Sequence, residues 1–279
     1  MKRQIDKLVK GFNTEDGAGV KLVRVLGPGT VNDFDPILML DSFDSRNPED
    51  YTAGFPMHPH RGIETISFVS QGKMMHKDSL GHSDTVESGE VQWMTAGSGI
   101  MHEELLPAAD RMLGVQLWLN LPAEHKMTKP EYHSIKKEDI KEIKNDSGTI
   151  KVLAGKYQGT EGFKGKYLPL DYLDVKIEEN KTMEIEVNTE NSVMIFTLLG
   201  NVEIEGKLVD EKTAAHLTKG DRVSIKALSE ETEVLLMSSS YLNERISWGG
   251  PIVMNNEKDL NNAFYELERG EFLKESVEY

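Results

Sequence analysis

The chain has 279 residues, 38% hydrophobic and 28% charged, enough length for one large domain or two ordinary ones with a sizeable core. Its 32 basic and 47 acidic residues give a formal charge of −15, which argues against direct nucleic-acid binding, where Lys and Arg must neutralise phosphates. With no cysteine, disulfides, thiolate metal sites, iron–sulfur clusters and cysteine nucleophiles are all excluded.

The opening Met1-Lys2-Arg3-Gln4-Ile5-Asp6-Lys7 is charged and lacks the apolar stretch of a signal peptide, and no later run is long enough to span a membrane as a helix. The expectation is a soluble cytoplasmic protein. Short apolar or alternating runs then recur between Gly, Asn and Asp turns, at 20–26, 37–40, 65–69, 91–94 and 114–119. Such spacing predicts an all-β sandwich or barrel. The segment 122–147 is rich in Lys, Glu and Asp and reads as a linker, with a short helix over 136–142. Strand-like runs resume at 150–154, 173–177, 183–187, 193–199, 202–204, 222–225 and 233–237. Over 256–270, Leu260, Ala263, Phe264 and Leu267 follow the i, i+3, i+4, i+7 rule and Gly270 stands as a stop, predicting an amphipathic helix packed on a barrel.

The halves share a frame. Phe68-Val69-Ser70-Gln71-Gly72 and Ser88-Gly89-Glu90-Val91 find counterparts in Thr197-Leu198-Leu199-Gly200 and Lys219-Gly220-Asp221-Arg222-Val223. An internal duplication follows, with one barrel over 1–132 and a second over 133–279 that ends in the helix. The second frame has no His-x-His, only His216 nearby, so the metal site is expected in the first alone.

That site is read from His58-Pro59-His60 and His102-Glu103-Glu104. In an extended strand residues i and i+2 project from one face. Two such strands side by side would point His58, His60, His102 and Glu104 at one spot. Three imidazoles and a carboxylate suit iron, nickel, copper, manganese, cobalt or zinc, and leave positions free for a small molecule. One His pair alone is as well explained by solvent-facing loop histidines. The second pair, with Gly72, Gly89, Gly97 and Gly99 placed for sharp turns near a buried site, tips the reading to metal. Glu103 falls on the opposite face by alternation. For His76, His82, Asp78 and Asp84, in the turn-rich stretch between the ligand strands, a hydrogen-bonded loop role outweighs substrate contact. Arg61 reads as a salt-bridge partner.

Phe55-Pro56-Met57-His58-Pro59-His60-Arg61-Gly62-Ile63-Glu64-Thr65 and Val91-Gln92-Trp93-Met94-Thr95-Ala96-Gly97-Ser98-Gly99-Ile100-Met101-His102-Glu103-Glu104 closely resemble the pirin family of bicupins. Gly114-Val115-Gln116-Leu117-Trp118-Leu119-Asn120-Leu121 and Gly249-Gly250-Pro251-Ile252-Val253-Met254-Asn255 extend the resemblance over nearly the whole chain. It implies two cupin-type jelly-roll β-barrels and one iron in the N-terminal barrel, on residues matching His58, His60, His102 and Glu104. Only three residues separate Gly54 from His58, where cupins usually have five. The carboxylate common after the first His pair in cupins matches Glu64, which is expected to orient a ligand histidine rather than to bind metal.

Some pirins cleave flavonols such as quercetin with dioxygen. The resemblance therefore implies an Fe(II)-dependent quercetin 2,3-dioxygenase that releases carbon monoxide, with Glu104 as the proton acceptor. The alternative it also implies is a metal- or redox-dependent regulator that binds a protein partner.

Overall fold

The computed structural model describes residues 1–277, which form two compact units. Among the described residues, the N-terminal unit comprises 13–23, 37–136 and 242–277, and the C-terminal unit comprises 1–12, 24–36 and 137–241. The units are therefore not the contiguous spans 1–132 and 133–279 expected from sequence. The first strand, Ile5–Lys10, pairs with Thr213–Leu217, and the C-terminal helix belongs to the N-terminal unit.

Each unit sets a four-stranded sheet against a seven-stranded one, and the paired strands are antiparallel. These are the two cupin barrels of an all-β bicupin. In the N-terminal unit the small sheet runs Phe55–His60, Ile100–Leu105, Lys73–Asp78, Ser83–Glu87. The centre of its large sheet is Glu90–Thr95, Ile63–Gln71, Met112–Asn120 and Ile37–Ser45. These strands extend past the apolar runs seen in sequence by a few residues at their ends, and Thr65, Ser67, Gln92 and Gln116 within them are polar and face inward.

Inward positions grade from apolar to polar along the N-terminal barrel. On Met112–Asn120 they run Met112, Gly114, Gln116, Trp118, and on Ile63–Gln71 they run Val69, Ser67, Thr65. The apolar part packs Val20, Leu22, Phe43, Tyr51, Val69, Met74, Val86, Leu106 and Met112 into a core. Each such side chain contributes about 1.5–3 kcal/mol by burial. The C-terminal barrel has no polar stretch of this kind: Ile195, Val202, Ala215, Leu217, Val223, Ile225 and Val234 fill it with hydrocarbon. Its N-terminal segment is anchored by Arg3, fully buried, whose guanidinium donates to the carbonyls of Thr218, Gly220, Asn188, Thr189 and Asn191.

No helix forms over 136–142. Glu131–Ile135 instead adds to the large sheet beside Glu90–Thr95, and Lys141–Asn145 makes a hairpin with Gly148–Ala154. Tertiary pairing outweighs the helix propensity of a Lys/Glu-rich stretch. The C-terminal helix, Glu257–Glu268, forms as its periodicity predicts. Asn256 accepts from the Asp259 amide at its start, Gly270 follows at φ +71°, and Leu260 and Ala263 pack with Ile252, Met254 and Phe272. Among the described residues, no helix is long and apolar enough to cross a membrane.

Candidate metal centre

Strands Phe55–His60 and Ile100–Leu105 lie side by side, with His102 directly opposite His58 and Ile100 opposite His60. Alternation then places His58, His60 and His102 on one inward face. Ligand nitrogens of all three lie within 4.8 Å of one another. The next turn enforces this approach. Gly62 has φ +79°, and a Cβ there would meet the Val253 carbonyl oxygen at 2.0 Å, so only glycine fits directly after His60-Arg61.

Hydrogen bonds to backbone carbonyls fix which nitrogen carries the proton in His58 and His60. A carbonyl oxygen only accepts, so His58 donates from Nδ1 to Pro56, 2.8 Å away, and His60 donates from Nδ1 to Pro251, 3.1 Å away. Both rings then present an Nε2 lone pair, and these two atoms are 3.1 Å apart. Burial, reinforced by His58, pushes the His60 imidazole down to about 3, and burial with the three neighbouring histidines holds His102 well below its ordinary value. The His102 Nε2 is buried with no hydrogen-bond partner. A single proton could join the first two nitrogens but would leave the third orphaned. One divalent transition-metal ion satisfies all three, and the donor set fits it.

Glu104 is inward-facing and buried, yet it stands outside this group. A β-bulge after His102 places it opposite Phe55, one residue along from regular register. One carboxylate oxygen accepts from the Gln92 amide and the other from the Gln116 amide, at 2.8 Å for the latter. Gln116 also accepts from Trp118 Nε1 at 3.2 Å, and the Trp118 ring meets His60 edge-on at 4.9 Å. Trp248 lies against Trp118, their ring centroids 5.6 Å apart. Neither glutamine stood out in sequence, since an inward Gln on a strand carries no local signal. Their i, i+2 relation to other inward positions was the only available cue.

Glu64 does not orient a ligand histidine. Strand alternation turns it to the face opposite Ser67, where it accepts from Thr95 Oγ1 at 2.6 Å, and burial pushes its carboxyl up. The Pro251 carbonyl, far along the chain, takes the orienting role for His60. Arg61 does form its salt bridge, to Glu266 at 2.8 Å, and also donates to the carbonyls of Ser98 and Phe272. Asp78 caps its loop, accepting from the amides of Leu80 and His82, while Asp84 accepts from the Thr85 amide. His216 in the C-terminal unit meets Asp6 and Tyr241, and among the described residues it belongs to no cluster of metal-ligand type.

Residues 19–119 match the Pirin family and residues 172–273 match the Pirin C-terminal cupin domain. A pirin-like protein of Caulobacter vibrioides is 40% identical over 275 residues, covering 97% of this chain and 99% of the relative. Human pirin is 31% identical over 258 residues, covering 90% of this chain and 88% of its own. The crystal structure of quercetin 2,3-dioxygenase from Acinetobacter baumannii is similar at TM-score 0.89 and 30% identity, with 98% of this chain and 99% of that one covered. With the family's two domains in order and near-complete coverage of its relatives, this chain belongs to the pirin family.

Proposed function

We propose that this protein is a metal-dependent dioxygenase that opens a flavonol such as quercetin with O2 and releases carbon monoxide. The observation that carries the reading is the convergence of ligand nitrogens from three histidines within 4.8 Å, with the His58 and His60 Nε2 atoms 3.1 Å apart and the His102 Nε2 buried without a hydrogen-bond partner. The similarity to the A. baumannii quercetin 2,3-dioxygenase supports the choice of substrate.

His58, His60 and His102 would hold one divalent metal, with Fe(II) the first candidate, and Glu104, whose carboxylate keeps lone pairs beyond the two that accept from Gln92 and Gln116, would be the fourth ligand. When bound, the metal supplies Lewis acidity toward a substrate hydroxyl oxygen. His58 and His60 move no proton, because each Nδ1–H is committed to a backbone carbonyl. Glu104 accepts the proton of the flavonol 3-hydroxyl, and the Gln92 and Gln116 amides keep its carboxylate in place for that transfer. Trp118 and Trp248 form an aromatic wall beside His60, against which a flat ring stacks.

Oxygen uptake on adding quercetin to the Fe(II)-loaded protein tests this, with His58→Ala under identical loading as the blank. Uptake that vanishes in the variant supports the assignment. A fully loaded wild type that consumes no oxygen with any of the candidate metals would overturn it and move the weight to a protein-binding role.

A further inference from the structure

Behind His102 the hydrogen bonds continue away from the metal group. His102 Nδ1 lies 3.4 Å from His76 Nδ1, and His76 Nε2 lies 2.9 Å from Asp78 Oδ2. The side chains of His76 and Asp78 are both fully buried. They stand on Lys73–Asp78, the strand that flanks Ile100–Leu105 on the side away from His58, where Asp78 pairs with His102. Tyr132 stacks on the His76 ring, nearly parallel at 4.2 Å, and limits its rotation.

Proton direction along this chain follows from its far end. A carboxylate accepts, so His76 donates from Nε2 and offers its Nδ1 lone pair. His102 must then donate from Nδ1, which leaves its lone pair on Nε2. We propose that Asp78 and His76 are positioning residues that set the tautomer of His102, aiming its Nε2 lone pair toward His58 and His60. The consequence for metal affinity rests on the metal-centre reading; the tautomer itself does not.

The loop-capping role of Asp78 must be separated from this one, and Asp78→Asn does so. Its retained oxygen still accepts from the Leu80 and His82 amides, now served in the native fold by Oδ1. Its new NH2 faces His76, while His82, whose ring also meets Asp78 and is part-exposed, turns aside. His76 is then forced to accept at Nε2 and donate from Nδ1, and His102 in turn carries its proton on Nε2, where the metal belongs. The shape is unchanged but the direction of the chain is reversed. His76→Gln is the control, since an amide can accept from His102 and donate to Asp78.

Two-bond 1H–15N spectra of the metal-free protein read the tautomer directly, and Zn(II) titration reads affinity. Asp78→Asn is expected to move the His102 proton from Nδ1 to Nε2 and to weaken Zn(II) roughly 10–100-fold, the usual effect of losing an outer partner. His76→Gln is expected to stay within a few-fold of wild type. An Asp78→Asn protein with the wild-type His102 tautomer overturns the proposal, whatever its metal affinity. Wild-type protein that takes up no Zn(II) counts against the metal centre alone, and the tautomer comparison still decides this inference.

Discussion

The imidazole of His60 donates from Nδ1 to the carbonyl of Pro251, 3.1 Å away across 191 residues of sequence. The next residue strengthens the same connection. Arg61 pairs with Glu266 on the C-terminal helix, donates to the Phe272 carbonyl, and lies over the Phe272 ring at 4.2 Å. The final segment of the chain thus sets the orientation of a histidine near its beginning.

Arg61→Met should expose that dependence. The change leaves the Ser98 and Phe272 carbonyls without their donor, and the Glu266 carboxylate with Lys274 alone. The expected loss is about 1–3 kcal/mol, from leaving buried carbonyls unsatisfied. Urea unfolding of the metal-free protein measures it. A change in midpoint no larger than that of an exposed Arg→Met control would show that the segment is held by apolar contacts alone.

Metal removal should be unusually visible in stability. A ligand present at a hundredfold excess over its Kd stabilises by about 2.7 kcal/mol. Without metal, two lone pairs 3.1 Å apart oppose each other, so His58→Ala in chelator should be at least as stable as wild type. Added metal should then stabilise wild type and leave the variant unmoved. Thermal unfolding with and without chelator makes the comparison.

Acid should destabilise the metal-free protein through its buried imidazoles. His60 is held near 3 and His102 well below the ordinary 6.5, so both are neutral in the fold but take up protons once unfolded. Between 6.5 and about 3 the unfolded chain binds more protons. Their contribution is complete above 6.5 and declines as pH falls toward 3. Lys126, lowered by burial from 10.5 to about 7, adds a second window in which stability rises with pH from 7 to 10.5. Urea midpoints across pH should show both slopes, and Lys126→Met should flatten only the alkaline one.

Glu104→Gln tests the proposed base. A side-chain amide there sets an NH2 against the Gln92 or Gln116 amide, where the carboxylate accepted from both. The expected stability cost is about 1–2 kcal/mol. Quercetin turnover should drop roughly 10²–10⁴-fold with metal retained, the contribution expected of a positioned proton acceptor. Full turnover by the metal-loaded variant would remove Glu104 from the proton transfer.

Local pattern made much of this molecule legible. The short apolar runs between turn residues marked strands because each buries at least one apolar face, as Ile66, Phe68, Val115 and Leu117 do, and the i, i+3, i+4 spacing of Leu260, Ala263, Phe264 and Leu267 marked the helix. His58-Pro59-His60 and His102-Glu103-Glu104 declared a site because a strand's two-residue period leaves little choice of face. The predicted helix over 136–142 failed where pairing partners lay far away in sequence: Glu131–Ile135 finds Glu90–Thr95. Glu64 failed because chemistry suggested a role that its strand parity forbids.

The sequence by itself determined the fold class and the shared face of the three histidines, since these follow from residue type and short-range periodicity. Only the tertiary structure decided how those groups are used. The exchange of terminal segments between the units, the Pro251 carbonyl behind His60, the glutamine pair on Glu104 and the Asp78–His76 chain behind His102 all join residues distant in sequence. Hydrogen bonds of this kind depend on where strands meet and on which face each side chain takes, and a one-residue bulge, as after His102, is enough to change the partner.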